Sequence, residues 1–258
     1  MKEKKNRLDI ELVKRGLTSS KKEACALIMA GEVIVDEQVV YKAYKEVSPE
    51  SKITINKKYP YVSRGAYKIK KAFKDFSIDP KGLKIVDIGI STGGFSDYVL
   101  KNGAYRVTGI DVNIDQVDYN LRKNKKLKLI KKNARYLKKP DIDFEPDLIV
   151  MDLSFISITK IIPALKIFKK SIILTLVKPQ FEGKRKMVGK GGIVRKKEDK
   201  INILLDLKKK IENLNFSVIA FTEAGIKGRK GNQEYFFLLD NVKKDSISDK
   251  IIYDEIKI

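Results

Sequence analysis

The sequence predicts an α/β protein: a doubly wound, mostly parallel sheet closed by an antiparallel edge hairpin, with a small α+β module in front of it. Three observations predict it. Strand and helix patterns alternate from residue 84 to residue 214, as in a parallel sheet covered on both faces. The last two strand patterns, at 216–221 and 234–239, are joined by the glycine-rich EAGIKGRKGNQ with no helix between them. Upstream, NKKYPY at 56–61 interrupts regular structure with Pro60, the mark of a linker.

In the leading module, Leu8, Leu12 and Val13 recur at helical spacing up to Gly16. Thr18, Ser19 and Ser20 offer caps for a second helix, in which Ala24, Leu27 and Ile28 share a face until Gly31. Val33 and Val35 alternate with polar residues, Asp36 and Glu37 make a turn, Val39 resumes the alternation, and Ile53 and Ile55 form another short strand. The expected boundaries are a module at 1–56, a linker at 57–62 and a large domain at 63–258. That domain opens on a helix in YVSRGAYKIKKAFKDFSI, whose Ile69, Ala72, Phe73 and Phe76 share a face, with Lys68 not required on the buried side. KIVDIGISTGGFSDYV follows, read as a buried strand, a glycine turn and a helix start. Further strands are expected at 106–111, 127–130, 147–152 and 171–177, and helices at 114–121, 157–168 and 196–214. The closing hairpin is the mark of the class I methyltransferase variant of the doubly wound, Rossmann-like fold.

With 258 residues the chain can bury a real core, and 43% hydrophobic with 34% charged residues suits a soluble globular protein. Lys and Arg number 55 against 33 Asp and Glu, a net charge of +22. Such an excess concentrates polyanions, with nucleic acid the first partner to consider and an acidic membrane surface the second. The single cysteine, Cys25, rules out an intrachain disulfide and fits a reducing cytoplasm. No apolar run reaches the roughly 18 residues that span a bilayer, and MKEKKNRLDIELVKRG lacks the apolar centre of a signal peptide. With no histidine, a histidine-based metal site or nucleophile is excluded, and no metal is expected.

Ligands of doubly wound sheets sit beyond the carboxyl ends of the strands. Asp87 and Gly89 close the first strand there, Asp111 the second, Asp152 the fourth, and Lys178 follows the fifth. An acid at the end of the second strand, roughly 20 residues past the glycines, is placed for ribose hydroxyls. Gly89-Ile90-Ser91-Thr92-Gly93-Gly94 departs from the tight dinucleotide turn and has no basic residue to meet phosphate. That favours S-adenosylmethionine, with Gly93 and Gly94 giving its amino-acid tail room, Asp111 at the ribose and the turn at Asn133 and Ala134 at the adenine. Asp87, Gly89, Ser91 and Phe95 complete the candidate cofactor set. The fourth strand ends in Asp-Leu-Ser-Phe, without the paired prolines of base N-methyltransferases, and Cys25 lies in the small module. A hydroxyl remains as acceptor. Its proton must be taken or stabilised in the transition state, and lysines near a carboxylate can orient it.

RLDIELVKRGLTSSKKEA and LIMAGEVIVDEQVV resemble the S4 domain, a small RNA-binding module, with Asp36 and Glu37 replacing its usual Asn-Gly turn and Lys21 a usual arginine. Arg7, Lys14, Arg15, Lys21 and Lys22 are its candidate RNA contacts. From about residue 7 to residue 239 the chain resembles the TlyA-type rRNA 2'-O-methyltransferases, an S4 domain joined to an FtsJ-like methyltransferase. The motifs SRGAYK, DIGISTGGFSD, MDLSF, LVKPQFE and GNQEYF carry this resemblance. It implies a catalytic set of Lys68, Asp152, Lys178 and Glu234; the working hypothesis for the transfer takes Lys178 as the proton acceptor. It also implies transfer to the ribose 2'-hydroxyl of a cytidine in rRNA of the small subunit, the large subunit or both. Ile90 stands where a small residue is usual, and VNIDQVD follows Asp111 in place of VGYGQLD. Arg64 and the basic, glycine-rich loop at 183–195, with Lys184 and Arg185, are further RNA candidates, the loop being expected to be mobile. The implied partner is rRNA in ribosomal subunits, met in the cytoplasm by a monomer or weak dimer. A non-catalytic rRNA-binding protein and a membrane-acting haemolysin are the competing readings.

Overall fold

The computed structural model describes residues 5–29, 31–55, 61–228, 231–242 and 244–257. The chain divides into two units, Met1–Pro60 and Tyr61–Ile258. Of the linker expected at 57–62, residues 57–60 lie outside the described residues.

The first unit contains β1 (Asn6–Arg7), α1 (Leu8–Lys14), α2 (Lys21–Met29), β2 (Val33–Val35), β3 (Gln38–Val40), β4 (Glu46–Val47) and β5 (Ile53–Ile55). Entry into α2 is fixed reciprocally: the Ser20 hydroxyl accepts from the Glu23 N–H, and the Glu23 carboxylate accepts from the Ser19 N–H and hydroxyl. β2 lies between β3 and β5, antiparallel to both, and Leu8, Leu12, Ala24, Ile28, Val33 and Val35 close one core beneath them. The β2–β3 turn puts Asp36 at φ 48° and Glu37 at φ 66°, the left-handed pair that a two-residue hairpin turn of this hand demands. Asp36 is held there by its Oδ1, which accepts from the Lys52 N–H at 2.8 Å. The two-residue β1–β4 pair is too short to show in the sequence pattern.

The second unit contains α3 (Gly65–Asp75), β6 (Lys84–Ile88), α4 (Gly94–Lys101), β7 (Arg106–Asp111), α5 (Tyr119–Arg122), β8 (Leu127–Lys131), β9 (Leu148–Asp152), β10 (Ile172–Val177), α6 (Pro179–Glu182), α7 (Lys197–Asn213), β11 (Ser217–Glu223), β12 (Tyr235–Asp240) and α8 (Asp249–Lys257). Its seven strands run in the order β11-β12-β10-β9-β6-β7-β8. Neighbours from β10 to β8 are parallel, and β12 is antiparallel to both β10 and β11. The fold is therefore the predicted α/β arrangement, with the return strand inserted beside β10 and β11 left at the edge. One core, around Ile88, Ile149, Val177, Leu204 and Phe237, covers one face; the other is packed by Ile69, Phe73, Val99, Leu174 and Phe236.

Two expected helices are broken. At 114–121 a 3-10 turn (Ile114–Gln116) gives way to extended Val117, after which Asp118 caps α5 by accepting from the Asn120 and Leu121 N–H groups. At 157–168 only 3-10 turns form, because Pro163 has no N–H to donate and disturbs an α-helical ladder. α6 and α8 were not anticipated from the sequence pattern: the first is one turn long, and the second follows a strand that already completes the sheet.

Candidate active site

β6 is the strand from which the order runs both ways, to β7 on one side and β9 on the other, the switch point where such sheets open a crevice. A cavity of about 570 Å³ lies there. Asp87 and Gly89 come from the β6 end, Asp152 and Ser154 from the β9 end, Lys178 from the residue after β10, and Lys68 from α3. Glu234 joins them because β12 runs backwards: Tyr235 pairs with Val177, so the residue before β12 emerges beside the one after β10.

The four charged residues implied by the family resemblance form two ion pairs. Lys68 Nζ lies 2.5 Å from Glu234 Oε2, with side chains 12% and 4% exposed. Lys178 Nζ lies 2.5 Å from Asp152 Oδ1, with exposures of 11% and 26%, and donates to Ser154 Oγ at 2.9 Å. Both pairs line the same cavity. Gly228 permits the first, since a Cβ there would stand 2.4 Å from Glu234 Oε1. Asp87 is buried. Its Oδ2 accepts from the Ser96 N–H and hydroxyl at 3.1 and 2.6 Å, while Oδ1 has no partner among the described residues. Burial pushes its carboxyl up to about 7; the Ser96 bonds oppose that rise, and the Asp152 charge adds to it.

The glycine turn is shaped mainly by protein packing. A Cβ on Gly89 would lie 2.5 Å from the Asp152 carbonyl oxygen, one on Gly93 would meet Leu121, and one on Gly94 would meet Ser63 Oγ. Of the two glycines expected to give a ligand tail room, Gly94 lines the cavity and Gly93 does not. Ser91, at φ 50°, does line it and donates its N–H to Asp111 Oδ2 at 3.0 Å. Asp111 is thereby bound to the turn without itself lining the cavity. Ile90 is accommodated because β7 carries Gly109 opposite it, and it packs with Val117 and Leu121. Phe95 belongs to the core against Phe236, with part of its surface on the cavity. Asn133 and Ala134 do not line the cavity: the Asn133 side chain accepts from the Arg135 N–H, and Ala134 is buried.

Among the basic residues, Lys14, Lys21, Lys22, Lys184 and Arg185 are exposed. Arg7 is paired with Asp9 at 2.8 Å. Arg15 serves the fold of its unit, donating to the carbonyls of Ser48, Pro49 and Ser51 and to Glu11. Arg64 donates to the Lys227 carbonyl at 2.9 Å on the cavity rim. The loop expected to be mobile is folded: Gly189 bridges Ile193, Val194 is buried, and Asn232 accepts from the Val194 N–H while donating to the Gly192 carbonyl. Asn232, Ser154, Phe155, Gln180 and Phe181 also line the cavity. They sit inside the motifs read from the sequence, but nothing in their spacing distinguished them. Phe155 is 90% exposed at φ 65°, its ring 4.9 Å from that of Phe181. No group of acidic or cysteine side chains that could hold a metal ion occurs among the described residues, and no described helix is long and apolar enough to cross a membrane.

The FtsJ-like methyltransferase family matches residues 61–241. The 16S/23S rRNA (cytidine-2'-O)-methyltransferase TlyA of Mycobacterium tuberculosis is 34% identical over 255 residues, spanning 97% of this chain and 95% of that protein. Hemolysin A of Brachyspira hyodysenteriae is 41% identical over 236 residues, spanning 89% and 97%. A solved structure from Streptococcus thermophilus, provisionally named a hemolysin, has a TM-score of 0.76 at 30% identity, covering 98% of this chain and 96% of its own. The likeness extends along nearly the whole chain as well as through the glycine turn, and the protein belongs to the FtsJ-like methyltransferases of the TlyA type.

Proposed function

We propose that this protein transfers a methyl group from S-adenosylmethionine to the ribose 2'-hydroxyl of a cytidine in ribosomal RNA. The observation that carries the reading is the meeting of two lysine–carboxylate pairs, Lys68 with Glu234 and Lys178 with Asp152, on one cavity at the switch point of the sheet. The name of the mycobacterial relative supports cytidine and both rRNAs as the substrate class.

Asp87 fits the cofactor on a direct observation: it lines the cavity, and its buried Oδ1, without a hydrogen-bond partner among the described residues, suits the ammonium of an amino-acid tail. Ser91 and the Gly89 turn would hold the neighbouring part, with Asp111 steadying the Ser91 backbone. When bound, S-adenosylmethionine supplies a methyl group activated on a sulfonium. Lys178, acting as the neutral amine after giving up its own proton to solvent, is the acceptor for the hydroxyl proton, and the ammonium so formed is the one that Asp152 pairs with. Ser154 fixes the direction of Lys178 Nζ. Lys68 and Glu234 orient the ribose, and much of the rate comes from that alignment. Exposed Phe155, backed by half-buried Phe181, presents an aromatic surface at the cavity on which an unstacked base can rest. Exposed Lys21, Lys22, Lys184 and Arg185 meet phosphates.

The test is methylation of purified ribosomal subunits with labelled donor, mapped by resistance to alkaline cleavage, because a methylated 2'-oxygen cannot attack the adjacent phosphate. Label at a cytidine that resists cleavage is expected, and Lys178→Ala should lower the single-turnover rate at least 100-fold, within the ~10²–10⁴ range of general acid–base contributions. Label in a base at a position that remains cleavable would overturn the ribose assignment.

A further inference from the structure

Two short segments carry one of the two ion pairs: residues 152–158, leaving β9, and residues 178–182, leaving β10. At the cavity end they are tied by Lys178 to Asp152 and Ser154, and midway by the Phe155 and Phe181 rings. A third tie lies away from the cavity. Glu182, the last residue of α6, accepts from the Ser157 hydroxyl at 2.5 Å and from the Ile158 N–H at 2.9 Å. None of these three residues lines the cavity.

Within the segment that Glu182 grips, Leu153 and Ile156 pack against the core and Ile158 is buried in it, but the turn between them is held by polar contacts. It turns through Phe155 in the left-handed region and carries Ser154 and Phe155 exposed. Ser157 is shared further with Thr159, their hydroxyls 2.8 Å apart. α6, by contrast, is seated firmly. The Phe181 N–H donates to the Lys178 carbonyl, the Gly183 N–H donates to that of Pro179, and a Cβ on Gly183 would press on Ile203 of α7. A carboxylate taking two hydrogen bonds from one partner segment is a strong, directional fastener, and here it joins the far end of the turn after β9 to the helix that follows Lys178.

We propose that Glu182 is a positioning residue for methyl transfer, fixing the Asp152–Ser154 segment against Lys178 through Ser157 and the Ile158 N–H. The proposal rests on the reading that Asp152 and Lys178 carry the transfer. It assigns Glu182 no contact with RNA or methyl donor. Its removal should therefore slow the chemical step and leave binding intact, whereas a residue needed only for folding would affect both through the folded fraction.

The experiment is single-turnover methylation of ribosomal subunits by the full chain, with dissociation constants for S-adenosylmethionine and for the subunit measured in parallel. Glu182→Ala is expected to lower the rate tenfold or more, with both constants within twofold of the parent protein. Glu182→Gln, which keeps one acceptor oxygen, should recover to within threefold of the parent rate. Ser157→Ala removes one of the two bonds with little threat to folding and should cost threefold or more. Added to Glu182→Ala it should cost less than a further twofold, since both changes break the same tie. A Glu182→Ala rate within twofold of the parent would overturn the proposal. So would a Glu182→Ala loss matched by weakened binding of both ligands, or an unchanged Ser157→Ala rate. Lys178→Ala is measured alongside: if it keeps the parent rate, the underlying reading has failed; if it collapses while Glu182→Ala does not, only the positioning role has.

Discussion

Asp87 is held in an environment that favours its uncharged form until a cation arrives. Its folded pKa of about 7 lies above the ordinary 3.8, so between those values the folded chain keeps a proton that the unfolded chain releases. The stability this supplies to the ligand-free protein is full below about 3.8 and is lost as pH rises through about 7. A bound ammonium needs the ionised form, so the affinity for S-adenosylmethionine should climb between pH 5.5 and 7, approaching about tenfold per unit at the acid end. Asp87→Asn should bind more weakly and lose this slope, as titration calorimetry across pH would show. The Lys68–Glu234 pair separates stability from chemistry in another way. Lys68→Met leaves a buried carboxylate without its partner, a change that costs about 3–5 kcal/mol. Lys68→Met with Glu234→Gln should restore most of the melting temperature and none of the methyl transfer.

At the scale of elements, the glycine turn after β6 has a role that its sequence did not disclose. Gly89 stands at φ 78° with the Asp152 carbonyl where a Cβ would go, so its smallness lets the β9 end close on the β6 end. Gly89→Ala should therefore displace Asp152, lowering the melting temperature and abolishing transfer even at saturating methyl donor. The β2–β3 turn makes the opposite prediction. Glu37 occupies the left-handed region without the glycine usual there, and Glu37→Gly should stabilise the first unit by about 1 kcal/mol, seen as slower hydrogen exchange at the Val33 and Val40 amides. Helices were legible where an apolar stripe ran unbroken, as in α3 and α7. They were misread at 114–121 and 157–168, where a capping Asp118 and a Pro163 outweighed the periodicity.

Over the whole molecule, a net charge of +22 makes RNA binding steeply salt-dependent. Lys21→Ala with Lys22→Ala, and separately Lys184→Ala with Arg185→Ala, should each flatten the plot of log affinity against log salt by about 2, close to one for each cationic side chain removed from a phosphate. Arg15→Ala should instead unfold its unit locally, because its guanidinium holds the carbonyls of Ser48, Pro49 and Ser51. What the sequence by itself determined is the α/β class, the parallel sheet with its antiparallel return, and the motif positions of Lys68, Asp152, Lys178 and Glu234. Periodicity and strand-end position are local properties, and local properties are written along the chain. Only the tertiary structure decided how those four residues are partnered, since Lys68 and Glu234 are 166 positions apart and meet through the reversed direction of β12. It likewise decided that Asn133, Ala134 and Gly93 stay off the cavity while Asp87 lines it with one buried oxygen unpartnered among the described residues. Such pairings depend on which strand ends the sheet order brings together, and strand order leaves no local trace in the chain.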